Sequence, residues 1–264
     1  MISLGPQSVA RYCQYSMNCL SSESDEPLTN MYSFNPIATI QTPFREKFGI
    51  PRQASLSQGV TGTLLFTKAY NNPDFLRGIE AFSHLWLTFV FDRHIEQETS
   101  ALVRPPRLGG NAKIGVFASR SSFRPNPIGL SLVKYVSHTF SNGQLSLTVS
   151  GVDIVDQTPI LDIKPFIAYS DNADGAQCSY AEEVPTQRLN VSYSKHADEQ
   201  IAALSTRYPR LKETINTMLG YDPRPAYKHD KVDSKIYKVG VFDLDITFTV
   251  EGTESRVSKI EKVE

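Results

Sequence analysis

Three stretches of the sequence concentrate proline, arginine, asparagine and glycine. They are Val103-Arg104-Pro105-Pro106-Arg107-Leu108-Gly109-Gly110-Asn111, Ser119-Arg120-Ser121-Ser122-Phe123-Arg124-Pro125-Asn126-Pro127-Ile128-Gly129-Leu130-Ser131, and Gly151-Val152-Asp153-Ile154-Val155-Asp156-Gln157-Thr158-Pro159-Ile160-Leu161-Asp162-Ile163-Lys164-Pro165. Proline presets φ and removes an amide donor. Bends built this way are rigid before a ligand arrives, so binding costs less ordering entropy. Arg104, Arg107, Arg120 and Arg124 add planar, permanently charged forks that match carboxylate or phosphate. Residue types alone therefore point to pre-organised anion binding. A plainer role also fits them: prolines and glycines terminate strands, and loop arginines are often just solvated.

The elements that must carry these bends are mostly short strands. Phe34 to Ile40 is strand-like, and Thr61 to Lys68 is β-branched and apolar. Leu85, Leu87, Phe89 and Phe91 alternate with His84, Trp86, Thr88 and Val90, which predicts a strand buried on both faces. His84, inside it, reads as a hydrogen-bonded core histidine. Ile114–Ala118 and Ile128–Val136 are further strands, and Ser141-Asn142-Gly143 is a hairpin turn before Leu145, Leu147 and Val149. Closing such a sheet removes its open edges, so a β-barrel or strongly curved sheet is expected. After about Asp171 the pattern changes. Ile201, Leu204 and Tyr208, then Leu211, Ile215, Met218 and Leu219, fall at helical spacing on either side of Pro209, with Gly220 as a left-handed C-cap. Phe242, Leu244, Ile246, Phe248 and Val250 alternate as a half-buried strand. Near this end Arg224, Tyr227, Lys228 and Lys231 mix basic and aromatic side chains, a combination suited to stacked bases and their phosphates or, for the tyrosine, to a small core.

Composition limits the alternatives. The 264 residues are 40% hydrophobic with sixteen prolines and a net charge of −1. This is enough for one large domain, or a large and a small one, and any nucleic-acid binding must come from local basic clusters. The three cysteines, Cys13, Cys19 and Cys178, form no disulfide framework, and no Cys/His spacing suits zinc. No metal is expected. No apolar run is long enough to span a bilayer, and neither a secretory signal nor a membrane role is expected, which places the chain in the cytoplasm. Residues 1–30 are polar and aperiodic, with an acidic Ser21–Glu26 run, and are expected to be a disordered tail ahead of a true start at Met31. The expected division is a barrel domain over 31–172 and a small α+β module over 173–264.

The three bends also carry a resemblance. Together with P-F-R-E-K-F-G-I-P-R-Q near the start, G-I-E-A-F-S-H-L-W in the middle and D-P-R-P-A-Y near the end, they resemble, in order over residues 32 to about 250, the signature segments of the TrmO (TsaA/YaeB-like) family of S-adenosylmethionine-dependent tRNA methyltransferases. One departure is Gln157 where Asp-Gly-Thr-Pro is expected, which bears on the loop if that position needs positive φ. The resemblance implies a β-barrel methyltransferase domain, a homodimer, and S-adenosyl-L-methionine as donor. It also implies, as substrate, threonylcarbamoyl-adenosine beside the anticodon of tRNA, notably threonine tRNA, methylated on its exocyclic nitrogen.

It further implies a cofactor set of Pro51, Arg52, Gln53, Phe91, Asp92, Arg120, Leu130, Ile154, Val155, Asp156 and Gln157. In that set Arg120 pairs with the methionine carboxylate, Asp92 takes ribose hydroxyls, Leu130 and Ile154 sandwich the adenine, and backbone groups near Val155 read its edge. Ordinary core packing also suits Leu130 and Ile154 taken singly. The nucleophilic nitrogen already bears a carbonyl, so a base would help. Asp156 and Asp92 have that chemistry, or bind a turn amide. Asn126, between two prolines, could hydrogen-bond the carbamoyl group or brace its own loop. Arg104, Arg107, Arg124 and Lys164, with Arg224 and Tyr227, are the expected contacts to the anticodon loop. Two alternatives stay open: a small-molecule methyltransferase of this fold, and a non-enzymatic nucleotide-binding module.

Overall fold

Strand closure arranges everything else. The computed structural model describes residues 32–109, 111–225, 228–229 and 233–263. The first half comprises β1 (Ala38–Gln41), β2 (Thr61–Phe66), β3 (His84–Val90), β4 (Leu102–Val103), β5 (Ile114–Gly115), β6 (Ile128–Ser141), β7 (Gln144–Ser150) and β8 (Thr158–Pro165). Six of these close a barrel in the order β1-β2-β7-β6-β3-β8, antiparallel at each pairing, while β4 and β5 pair separately. Leu64, Leu85, Leu87, Val133, Leu145, Leu147 and Ile160 point inward and are fully buried. The barrel interior is thus a packed apolar core whose burial drives closure.

Several sequence expectations change here. β3 is buried on one face only; His84, Trp86, Thr88 and Val90 are half-exposed on the outer face, which is covered in part by Phe166 and Asp171. His84 therefore lies on the outer face and not in the core, with Nδ1 2.9 Å from the Ser83 hydroxyl. Thr158–Pro165, read as part of a chemistry-bearing bend, is the strand that joins β1 to β3 and closes the barrel. Its prolines at both ends hide its period. Of Ile114–Ala118 only two residues are strand, followed by a 3-10 turn. The Asn142-Gly143 turn is as expected: φ is 51° and 74°, the left-handed pair that joins β6 to β7.

The second half holds α1 (Ala168–Asp171), β9 (Asn190–Tyr193), α2 (Lys195–Leu204), α3 (Leu211–Gly220), β10 (Asp233–Val241), β11 (Leu244–Glu251) and β12 (Glu254–Lys262). Its sheet runs β10-β11-β12-β9, with β9 parallel to β12. The two helical patterns flanking Pro209 become α2 and α3. Gly220 is the last residue of α3 but is not left-handed; Asp222 takes that conformation, at φ 49°. Phe242, expected in a strand, is the left-handed residue of the β10–β11 turn, φ 54°, and stacks on Tyr208 at 4.8 Å. The chain leaving β1 joins the halves. Phe44 bridges Val241, the Phe242 N–H donates to the Pro43 carbonyl at 2.8 Å, and the Gly240 N–H donates to Glu46 Oε1 at 2.9 Å.

Gly129 pairs with Phe89 across β3 and β6, and a methyl at Gly129 would fall inside the Phe89 ring. Gly129→Ala should therefore destabilise the protein by about 1–3 kcal/mol, lowering Tm by roughly 2–4 °C for each kcal/mol. Pairing it with Phe89→Leu should recover part of the loss in thermal denaturation. An unchanged Tm for the single variant would contradict this packing.

Candidate functional site

Four bends meet at one end of the barrel: the chain from Thr42 to Ser57, the turn after β3, the 119–127 loop and the 151–157 loop. The Phe91 N–H donates to the Pro127 carbonyl at 2.7 Å, tying the second bend to the third. Lys47 Nζ donates to Ser122 Oγ at 3.2 Å and lies over the Phe123 ring. His94 packs edge-on against Phe123 at 5.0 Å. Burial, and next the Lys47 charge, hold its proton affinity below the ordinary imidazole value. The Arg93 guanidinium donates to the carbonyls of Arg45, at 2.9 Å, and Asp156, at 3.4 Å. Arg120 Nη1 donates to Gln53 Oε1 at 2.6 Å, joining the first bend to the third.

The fourth bend is fixed from below. The Thr42 N–H donates to Asp156 Oδ1 at 2.8 Å, the Thr42 hydroxyl donates to the Ile154 carbonyl at 2.9 Å, and the Asp156 N–H donates to the Phe44 carbonyl at 2.7 Å. Asp156 thus has the turn-amide partner that was its plainer alternative. Gln157 is left-handed, φ 64°, so the position does adopt the conformation that favours glycine. Its N–H donates to the Ile40 carbonyl at 2.8 Å, and its side-chain amide reaches the Asp156 carboxylate at 3.2 Å. These bonds hold the loop in shape without glycine.

The expected cofactor residues are distributed unevenly. Gln53, Arg120, Phe91 and Asp92 lie on the rim; Pro51 is buried behind it, and Arg52 is exposed beside it. Ile154 is 1% exposed and belongs to the core, whereas Leu130 points outward from β6 at 53% exposure. This chain alone therefore forms no adenine slot between these two side chains, and core packing fails as an account of Leu130. The Val155 carbonyl is occupied by the Thr158 hydroxyl at 2.7 Å. Asn126 is exposed at the loop tip, where its carbonyl accepts the Ile128 N–H at 2.7 Å.

The expected RNA contacts also separate. Arg104 is exposed; Arg107 donates to the Glu183 carbonyl, Arg124 to the Ser119 carbonyl at 3.3 Å, and Lys164 pairs with Asp162. Arg224 is a correction. It is 1% exposed, and its Nε and Nη2 each lie 2.8 Å from the Asp222 carboxylate, so it is a buried structural ion pair withheld from any phosphate. Tyr227 and Lys231 lie outside the described residues, as do residues 1–31. Lys228 pairs with Asp233 at 2.9 Å. Among the described residues no group of three His, Cys, Asp or Glu could hold a metal ion, and no helix is long and apolar enough to cross a membrane.

Two features escaped the sequence. Asp153 is half-buried in the rim and accepts the Ser131 hydroxyl at 2.6 Å. Burial pushes its pKa up to about 6, against the pull of Ser131 and Arg120. A carboxylate between two core aliphatics, Val152 and Ile154, was the signal available. The second feature is a cleft of about 510 Å³ between barrel and C-terminal half, whose lining includes Thr42, Arg45, Asp156, Gln157, Tyr208 and Phe242. It meets the expected cofactor set only at Asp156 and Gln157. Its walls come from separate segments, which left no local pattern to read.

Comparison with known proteins agrees with this arrangement. The family model of the tRNA-methyltransferase O N-terminal domain matches residues 39–172, and that of the TrmO C-terminal domain matches residues 186–263. The tRNA (adenine(37)-N6)-methyltransferase of Escherichia coli (strain K12) is 40% identical over 87% of this chain and 98% of its own. A Pseudomonas aeruginosa relative named for S-adenosylmethionine-dependent methyl transfer is 40% identical over 81% of this chain and 91% of its own. The crystal structure of TrmO from Pseudomonas aeruginosa superposes with a TM-score of 0.73 at 32% identity, covering 88% of this chain and 99% of that one.

Breaking the Arg224–Asp222 pair leaves a buried carboxylate uncompensated. Arg224→Ala should therefore cost about 3–5 kcal/mol, read as a lower denaturation midpoint. A fully stable variant with weakened RNA binding would restore Arg224 to the surface role first expected of it.

Proposed function

The chain belongs to the TrmO family, and from that membership and the rim geometry we propose that it is an S-adenosylmethionine-dependent tRNA methyltransferase. Its substrate is threonylcarbamoyl-adenosine beside the anticodon, notably in threonine tRNA, and the methyl goes to the exocyclic nitrogen. The observation that carries the proposal is the ordered match across both halves of the chain, combined with convergence of the matched bends on one rim. A tRNA substrate fits a cytoplasmic site of action.

The donor set fits an adenosylated amino acid. Arg120 presents a guanidinium at the rim, held by the neutral Gln53 amide and so still charged toward a ligand carboxylate. Asp92 is exposed at the first residue of the turn after β3, with acceptor atoms suited to ribose hydroxyls. S-adenosylmethionine supplies a methyl on a positively charged sulfur, which needs no further activation. The chain's task is then mainly to hold nucleophile and methyl in line. Asp156, positioned by the Thr42 amide, offers its carboxylate to the proton leaving the nitrogen. Asn126, at an exposed tip fixed by two prolines, can hydrogen-bond the carbamoyl group. Arg124, on the 119–127 loop, and Arg104, exposed after β4, suit tRNA phosphates.

A homodimer is part of the proposal. Ile128 and Leu130, at alternate positions on the outer face of β6, are 42% and 53% exposed. A second copy over that face would bury them and supply Leu130 with a partner surface.

Nucleosides from tRNA of cells with and without the gene, compared by mass spectrometry, test the substrate. Methylated threonylcarbamoyl-adenosine should disappear on deletion, and an unchanged level would end the tRNA proposal. S-adenosylmethionine at about 100 times its Kd should raise Tm by roughly 5 °C or more; no rise would remove the donor.

A further inference from the structure

Lys47 reaches from the first bend to the third and finds only neutral partners there. Its ammonium donates to the Ser122 hydroxyl at 3.2 Å and lies 5.2 Å from the centre of the Phe123 ring. Both partners are themselves fixed: Ser122 is 6% exposed, and His94 packs edge-on against Phe123 at 5.0 Å. Among the described residues no carboxylate lies within ion-pair distance of Lys47, whereas Arg45, Arg207, Arg210 and Lys212 each hold one. An ammonium has three donors, and Ser122 takes one, so two remain for a ligand. Lys47 stays exposed to solvent, yet partial burial, and next the Arg52 charge, hold its proton affinity below the ordinary lysine value. An arriving anion would relieve that strain on the charge.

The place of Lys47 narrows the choice of anion. The Arg93 guanidinium spans the Arg45 carbonyl, at 2.9 Å, and the Asp156 carbonyl, at 3.4 Å. The segment two residues before Lys47 is thereby tied to the bend that carries Asp156, the residue proposed to receive the proton of the reacting nitrogen. In threonylcarbamoyl-adenosine only a carbonyl, a second nitrogen and one carbon separate that nitrogen from the free threonine carboxylate. A carboxylate so tethered must land close to wherever the nitrogen is held. We infer that Lys47 is a specificity residue of the proposed reaction, its ammonium taking the carboxylate of the threonyl group on the substrate base. The inference rests on the substrate given under the proposed function. It explains how an adenine bearing this group is told from a plain adenine, because without the carboxylate the ammonium stays unmatched.

Two other anions come to the same rim, the carboxylate of the methyl donor and the phosphates of the RNA. The donor carboxylate already has Arg120, whose tie runs to Gln53 and shares no residue with the Lys47 contacts. Phosphates are repeated along the RNA and are met well by exposed cations such as Arg104. Lys47 is instead a single point charge seated on a fixed hydroxyl and a fixed ring, which suits one compact anion at one position. Of the other rim cations, Arg93 already donates to two carbonyls and Arg124 to the Ser119 carbonyl.

Methyl transfer by the full chain to two synthetic anticodon stem-loops tests the inference. One RNA carries threonylcarbamoyl-adenosine, and the other carries the same base with its carboxylate capped as the neutral methylamide. Wild type should favour the acid in kcat/KM by on the order of tenfold to a hundredfold, the worth of one charge-assisted hydrogen bond. In Lys47→Met that preference should vanish, with the two RNAs methylated alike. Calorimetry with S-adenosylhomocysteine, the demethylated donor, should give the variant wild-type affinity, which also reports an intact fold. An equal loss on both RNAs would assign Lys47 to a phosphate, and a loss of S-adenosylhomocysteine binding would assign it to the donor; either overturns the inference, as does a preference for the acid that survives in the variant. If wild type methylates neither RNA, the proposed substrate falls and the role of Lys47 with it. If wild type methylates both equally well, the substrate class stands and the Lys47 contact alone is wrong.

Discussion

Three hydrogen bonds around Thr42 hold the molecule's working parts in register. Its amide caps the Asp156 carboxylate, its hydroxyl takes the Ile154 carbonyl, and two residues on the Phe44 carbonyl accepts the Asp156 amide. The same short run of chain then pairs Phe44 with Val241 and accepts the Phe242 amide at Pro43. One segment thereby fixes the 151–157 bend, closes the barrel end and seats the C-terminal sheet. The bonds are largely buried, so each broken one would leave an unpaired polar group as well as a lost contact.

Charge around this junction is mostly spent internally. In and beside the cleft, Arg45 pairs with Asp245, Arg207 with Asp243 and Arg210 with Glu213. These pairs neutralise much of the positive potential that a count of arginines would suggest. Arg120 differs, because its partner is an uncharged amide. Arg120 thus keeps its charge available to an anion at the rim. This agrees with a net charge of only −1 over the chain and with an enzyme that must gather a small charged nucleoside as well as an RNA.

Much of the barrel was legible because its strands obey a two-residue period. In the barrel β3, β6 and β7 show it openly, as does β11 in the second sheet, and the Asn142-Gly143 pair marks a turn on conformational grounds. β8 was hidden by Pro159 and Pro165, and β12 by a bulge: Phe248 pairs with Val257 but Thr247 with Lys259, so the buried Val257 and Ile260 are three apart. At the rim, the family likeness located Arg120 and Gln53 but not what they do to each other, since that contact joins residues 67 positions apart. Arg224 misled because its type suits a phosphate; only the fold reveals that its own neighbour Asp222 claims it. Asp153 was passed over because the residues flanking it read as core, which they are.

The pairing pattern also carries a kinetic consequence. β1 meets β8 through residues about 120 positions apart, β9 meets β12 across 64, and Phe44 meets Val241 across nearly 200. Loop-closure entropy must be met before such distant contacts reward it, so assembly is slow relative to a helical protein of this size. On the ribosome the barrel cannot seal until the end of β8 has emerged, and the second sheet waits for β12. During that interval the edges of β1 and β3 are open templates for pairing with other chains. The nascent polypeptide is consequently most exposed to misassociation after β3 and before β8 has emerged, while the fold that shields those edges does not yet exist.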